Sequence, residues 1–173
     1  MKILLHIRSL DIGGSERQVV SLAKAMADLG AEIHIAVIKS GGQLETEVLG
    51  VPNIHLHCIG ASGLGGRFKY LLQLRSLINS IGFNGVYGFL PIPNLALLTA
   101  RTVRNRPSIA WGVRSSNLDL TQYEKRVKIT MKLETQTAGK GIFLIAYHLS
   151  SIICSKTFTE YIKLNFSWIS DVD

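Results

Sequence analysis

Apolar residues along this chain fall into short runs, separated by stretches in which they return every three or four positions. Lys2 to Ile7 is an apolar run of strand length. Ser15 to Leu29 follows with Val19, Val20, Leu22, Ala23, Met26, Ala27 and Leu29 at helical spacing, and Gly30 closes that helix. Ala31 to Ile38 resumes strand character, "SGGQ" turns into a short helix over Leu44 to Leu49, and Asn53 to Ile59 alternates with the period of a strand. After the glycine-rich loop Gly60 to Gly66, Leu71, Leu72, Leu74, Leu77, Ile78 and Ile81 predict an amphipathic helix that Gly82 ends. Gly85 to Leu90 reads as a fourth strand, "PIPN" opens a helix running to about Val103, and Ser108 to Val113 reads as a fifth strand.

Strands alternating with helices imply right-handed crossovers, hence an α/β, Rossmann-like parallel sheet with helices on both faces. Such sheets bind ligands beyond the carboxyl ends of their strands, near the point where strand order reverses. The segments to inspect are therefore Ser9 to Ser15, Lys39 to Gly42, Gly60 to Gly66, Leu90 to Asn94 and Arg114 to Asp119. A charged helix is expected from Asp119 to Thr137. Beyond Lys140 the pattern weakens, and "LSSIICSKTFTEYIKLNFSWISDVD" gives neither a clean helix nor a capped strand. The expected division is a domain over 1–140 and a poorly matching tail over 141–173.

Gly13 and Gly14 stand between the first strand and the first helix, where backbone N–H groups and the positive helix end can accept a diphosphate. Two glycines at this place are equally compatible with a plain tight turn. Ser15 is a candidate helix cap, with Gln18 at capping-box distance. Arg114, Ser115, Ser116 and Asn117 fall on the loop after strand five, at the same sheet edge. There they offer a guanidinium fork for phosphate or carboxylate and polar groups for sugar hydroxyls, although "SSN" is also ordinary turn chemistry. Tyr87 and Phe89 read as wall or core residues, and His6, His34, His55 and His57 lie inside strands, which favours structural roles.

Several chemistries are disfavoured by what these motifs lack. "IGGSERQ" has neither the GxGxxG spacing of a dinucleotide site nor the pattern of a P-loop, and Lys39 stands where a ribose-binding acid would be expected. No Ser/His/Asp or paired-carboxylate arrangement stands out. Cys58 and Cys154 are the only cysteines, with no CxxC and no zinc-finger spacing, so buried thiols in a reducing cytoplasm and no metal site are expected.

Charge adds a bias toward anions. The 173 residues carry 19 Lys+Arg against 12 Asp+Glu, a net +7, with 47% hydrophobic residues as in a folded domain. The basic residues cluster at Arg101/Arg104/Arg106 and Lys125/Arg126/Lys128/Lys132 without the interleaved aromatics of single-strand binders, which favours a solvated or membrane-facing surface over nucleic acid. The longest apolar stretch, Gly141 to Cys154, falls short of the about 20 residues that span a bilayer. A cytoplasmic protein, peripheral at most on the inner membrane face, is the expectation.

"SLDIGGSERQVVSLAKAMADLGAEIHIAVIKSGG", followed by "VYGFLPIPN" and "AWGVRSSNLDL", resembles the amino-terminal domain of family 4 retaining glycosyltransferases of the GT-B fold. The likeness is to bacterial enzymes that build surface polysaccharides, and it covers about Met1 to Lys140. It implies transfer of a sugar from a nucleotide-sugar donor to a saccharide or lipid-linked acceptor, without metal or other cofactor. Gly13, Gly14 and Ser15 would lie near the donor diphosphate, and Arg114, Ser115 and Asn117 would face acceptor or donor. Where many members carry a histidine at the end of strand four, in a pattern like HxH, this chain has Tyr87-Gly88-Phe89, so no catalytic histidine is assigned. The family's carboxy-terminal, donor-holding lobe has no counterpart in the sequence. The expectation is a lobe inactive alone, truncated or frameshifted near Lys140, or completed by a separately encoded lobe. The alternative is a noncatalytic Rossmann-like module that binds a phosphorylated or lipid-linked sugar.

Overall fold

The computed structural model describes residues 1–60, 65–114 and 142–147, the last six and Val113–Arg114 as backbone. Strand β1 (Lys2–Ile7) leads to helix α1 (Gly14–Asp28), then β2 (Glu32–Val37), a 3-10 turn (Gln43–Glu47), β3 (Ile54–Cys58), α2 (Gly66–Ile81) and β4 (Gly85–Phe89). A short helix α3 (Pro91–Ala96) passes into 3-10 geometry (Leu97–Thr102) before β5 (Ser108–Arg114) and β6 (Ile142–Tyr147).

The strands form one six-stranded sheet in the order β3-β2-β1-β4-β5-β6, with every pairing parallel. Sequence order therefore reverses between β1 and β4, which opens a crevice at the carboxyl ends of those two strands. The α/β, Rossmann-like architecture is the one the periodicity predicts. Strand β6 was not read from the pattern: "IFLIAY" is an uninterrupted apolar run with no period to distinguish strand from helix, and it pairs with β5 in the register Trp111↔Leu144. The expected helix over Asp119 to Thr137, the Lys125/Arg126/Lys128/Lys132 cluster and the residues after Tyr147 lie outside the described residues.

Alternation along the strands sorts side chains into two cores. Leu5, Ile7, Ile33, Ile35 and Val37 pack with Val19, Ala23 and Met26 of α1 on one face. Leu4, Val86, Ile109 and the fully buried Trp111 pack with Tyr70, Leu74 and Ile78 of α2 and with Leu97 and Ala100 on the other. Helix α1 ends as its glycine predicts. Gly30 adopts φ +86°, its N–H donates to Ala27 O, and the Ala31 N–H donates to Met26 O, a pair of bonds that satisfies the last carbonyls. Other details differ from the reading: α2 starts at Gly66 and buries Tyr70, Leu74 and Ile78, while Leu72 is exposed, and the helix after β4 stays α-helical only to Ala96.

The second core encloses a polar link. His6 is fully buried, with Nδ1 2.9 Å from Ala36 O and Nε2 2.6 Å from the Tyr70 hydroxyl. Both distances are satisfied at once if Nδ1–H donates to the carbonyl and Nε2 accepts from the hydroxyl. Burial pushes the Tyr70 hydroxyl above its ordinary range and pushes His6 down from 6.5 to about 4. Between those values the unfolded chain binds a proton that the folded ring refuses. Stability is therefore fully present above pH 6.5 and is lost as pH falls toward 4. The His6 contribution is up to about 3 kcal/mol. Urea unfolding between pH 7 and pH 4 measures this loss together with that of His34 and His57, which burial also pushes down, and His6→Gln, which can keep both hydrogen bonds without a titrating ring, should remove the His6 part of it.

Candidate functional site

The glycine loop lies at the reversal of the sheet. Residues 8–13 cross the carboxyl edge after β1 and enter α1 through Gly13, an N-cap with extended backbone and no side-chain cap. Gly14 is the first helical residue and is exposed, whereas Ser15 is the second and is buried. Ser15 therefore does not cap the helix, contrary to the capping-box reading: the chain is already helical one residue before it. The Arg17 N–H donates to Gly13 O at 3.0 Å. The N–H groups of Gly14, Ser15 and Glu16 precede that bond and form the positive end of a 15-residue helix. Glu16 folds back so that its carboxylate occupies the space a Cβ on Gly13 would need.

A second glycine segment braces this loop. The N–H groups of Ile38 and Lys39 both donate to Arg8 O, and the Leu44 N–H donates to Leu10 O at 2.9 Å. Ser9 Oγ donates to Asp11 Oδ2 at 2.8 Å. Gly41 and Gly42 N–H donate to Glu45 Oε1, which fixes the "SGGQ" turn. A Cβ on Gly42 would overlap the Leu10 carbonyl and stand 2.7 Å from the Asp11 nitrogen. Gly42 is thus required by the close passage of another backbone, a fact invisible in local sequence.

On the other side of the crevice, Leu90 follows β4 with φ +76° and ψ 156°, a conformation that side chains disfavour, and Pro91 then starts α3. Asn94 is fully buried, and its Nδ2 donates to Gly112 O at 3.2 Å, tying α3 to β5. Tyr87 and Phe89 are buried in the α1-side core with ring centroids 4.3 Å apart, so Tyr87-Gly88-Phe89 serves packing here. Arg114 is the last residue of β5 rather than part of the following loop, two strands from β1 and so roughly 10 Å from it. Ser115 and Asn117 lie outside the described residues.

Two further features lie away from this crevice. Arg75, Arg101, Arg104 and Arg106 line a cavity of about 620 Å³ between α2 and the approach to β5. The strand histidines meet on the α2 side of the sheet. His34 Nδ1 is 2.8 Å from His57 Nε2, and His34 Nε2 is 3.0 Å from Glu32 Oε1. Glu32 Oε2 in turn lies 3.4 Å from Lys2 Nζ. The hydrogen bond from His34 holds the Glu32 carboxyl below its ordinary range, while burial pushes His34 and His57 down. Among the described residues no helix is long and apolar enough to cross a membrane.

No protein-family model matches the chain, and no curated protein matches it. Solved structures do. HepE from Anabaena, in complex with UDP and glucose, superposes with a TM-score of 0.64 at 15% identity, over 94% of this chain and 41% of its own. Sucrose-phosphate synthase from Thermosynechococcus elongatus superposes with a TM-score of 0.60 at 12% identity, over 84% of this chain and 47% of its own. A short-chain dehydrogenase/reductase from Burkholderia vietnamiensis reaches a TM-score of 0.52 at 11% identity, over 92% of this chain and 90% of its own. At such identities the likeness shows the fold, a Rossmann-like lobe shared with GT-B glycosyltransferases. The chain spans less than half the length of HepE and of the synthase.

The brace on the glycine loop gives a direct check. Gly42→Ala should lower stability by about 1–3 kcal/mol through overpacking against Leu10 and Asp11, read as a lower urea midpoint at unchanged slope.

Proposed function

We propose that the chain is the amino-terminal, acceptor-side lobe of a family 4 retaining glycosyltransferase of the surface-polysaccharide type. It would act in transfer of a sugar from a nucleotide-sugar to a saccharide or lipid-linked acceptor, at the cytoplasmic face of a membrane that its basic surface contacts peripherally. The observation that carries this reading is the braced glycine loop at the sheet's reversal, opening onto the free amino end of α1. Fold alone is shared with a dehydrogenase/reductase. The loop separates the two readings, because it lacks the dinucleotide spacing and Lys39 follows β2 where an acid would hold the ribose.

In this reading the Gly14, Ser15 and Glu16 N–H groups and the α1 dipole stabilise the diphosphate leaving group as its charge grows. Gly13 and Gly14 keep side chains away from that approach. Glu16, folded over Gly13 in the free lobe, yields its place when the diphosphate arrives. Arg114, which ends β5, contacts the sugar or acceptor together with Ser115 and Asn117. The donor is held mainly by a second lobe, so this chain alone is inactive.

The test is turnover of nucleotide-sugars by the full chain with and without a candidate donor lobe. Turnover is expected only with both. Gly13→Asp should cut it by about 100-fold, since it sets a carboxylate where the diphosphate belongs. The same substitution introduces a favoured N-cap, so thermal unfolding should not fall. Turnover indifferent to Gly13→Asp, or none with any donor lobe while the chain still binds acceptor, overturns the reading and favours a binding module.

A further inference from the structure

Strands β2 and β3 place Glu32, His34, His55 and His57 on one face of the sheet, because residues two apart share a face and the parallel register sets His34 beside His55. One ligand atom from each of Glu32, His34 and His55 lies within 4.8 Å of the other two. The His34 ring is 4.7 Å from that of His55 and meets the edge of Phe83 at 5.1 Å, which fixes its position from below. His34 is buried, Glu32 is partly exposed and His55 is exposed, so the cluster is held on one side and open on the other.

We propose that Glu32, His34 and His55 form a binding site for a divalent transition-metal ion of the zinc class, with His57 orienting His34 from behind. Two imidazoles and a carboxylate are a ligand set that such ions accept, with a fourth position left to water. Ligand atoms around tetrahedral zinc stand about 3.4 Å apart, so the three need draw together only modestly, and the exposed His55 ring is the one with room to move. His34 Nε2 faces Glu32 while Nδ1 faces His57. On binding, Nε2 gives its lone pair to the metal and Nδ1–H donates to His57 Nε2, the outer hydrogen bond that metal-bound histidines characteristically make. Lys2 competes for Glu32 from 3.4 Å and keeps the second carboxylate oxygen or swings into solvent. The ion would clip the edge strand β3 to β2, on the α2 side of the sheet. None of these residues belongs to the glycine loop, so the site stands independently of the glycosyltransferase reading.

Titration of the metal-free full chain with zinc chloride by calorimetry should show one site per chain, and cobalt(II) should give the visible bands of a tetrahedral N/O site. Zinc at 100 times its dissociation constant should raise the melting temperature by roughly 5–10 °C. His55→Ala removes an exposed ligand without touching the core and should weaken affinity at least tenfold. His57→Ala should weaken it by about 10- to 100-fold. Cys58→Ser and His148→Ala, which alter other metal-seeking groups, should leave it unchanged. No saturable zinc binding, or binding that survives His55→Ala and His57→Ala at full affinity, overturns the proposal.

Discussion

Strand β1 is the constraint on which the remaining elements depend. It is hydrogen-bonded to β2 on one side and β4 on the other, and Leu4, Leu5, His6 and Ile7 are fully buried between two helical layers. A strand enclosed on four sides has to satisfy every backbone group inside the sheet and offer apolar side chains to both faces, which accounts for the near-continuous run "KILLHI". Its one buried polar side chain, His6, is tolerated because both ring nitrogens find partners. Because the chain turns outward in opposite directions on the two sides of β1, the crevice at its carboxyl end exists at all. The glycine loop occupies that crevice because it is the immediate continuation of β1.

What the sequence made legible follows from local period and local punctuation. The strand-helix alternation, the α1 face from Val19 to Met26 and the Gly30 cap were all readable, since each depends on residues within a few positions of one another. The sixth strand was not, because an unbroken apolar run carries no period. Ser15 was misread as a cap for a related reason: serine and a glutamine three positions on make a capping pattern wherever they fall, and only the backbone shows that the helix already began at Gly14.

The site was legible in part and for a different reason. Gly13 and Gly14 are compatible by type with either a turn or an anion cradle, and their placement beside β4 depends on strand order, which no local pattern encodes. Gly42 belongs to the same structure through its contact with Leu10 and Asp11, about thirty positions away, and nothing in "SGGQ" says so. The histidines show the opposite case. His55 and His57 alternate visibly, as Glu32 and His34 do, yet each pair reads as ordinary strand polarity until the parallel register lays one beside the other.

Leu90 gives the crevice one more property. A leucine held in a region of backbone space that suits glycine, immediately before a proline, costs on the order of 1–3 kcal/mol that the rest of the fold must cover. Asn53 and Arg106 also take positive φ, but Leu90 is the one of the three that stands on a wall of the candidate cleft. Selection for stability alone would remove this strain, and selection for a particular wall shape would keep it. The cleft is therefore the region where sequence change that makes the chain more robust is most prone to reshape what the chain can hold.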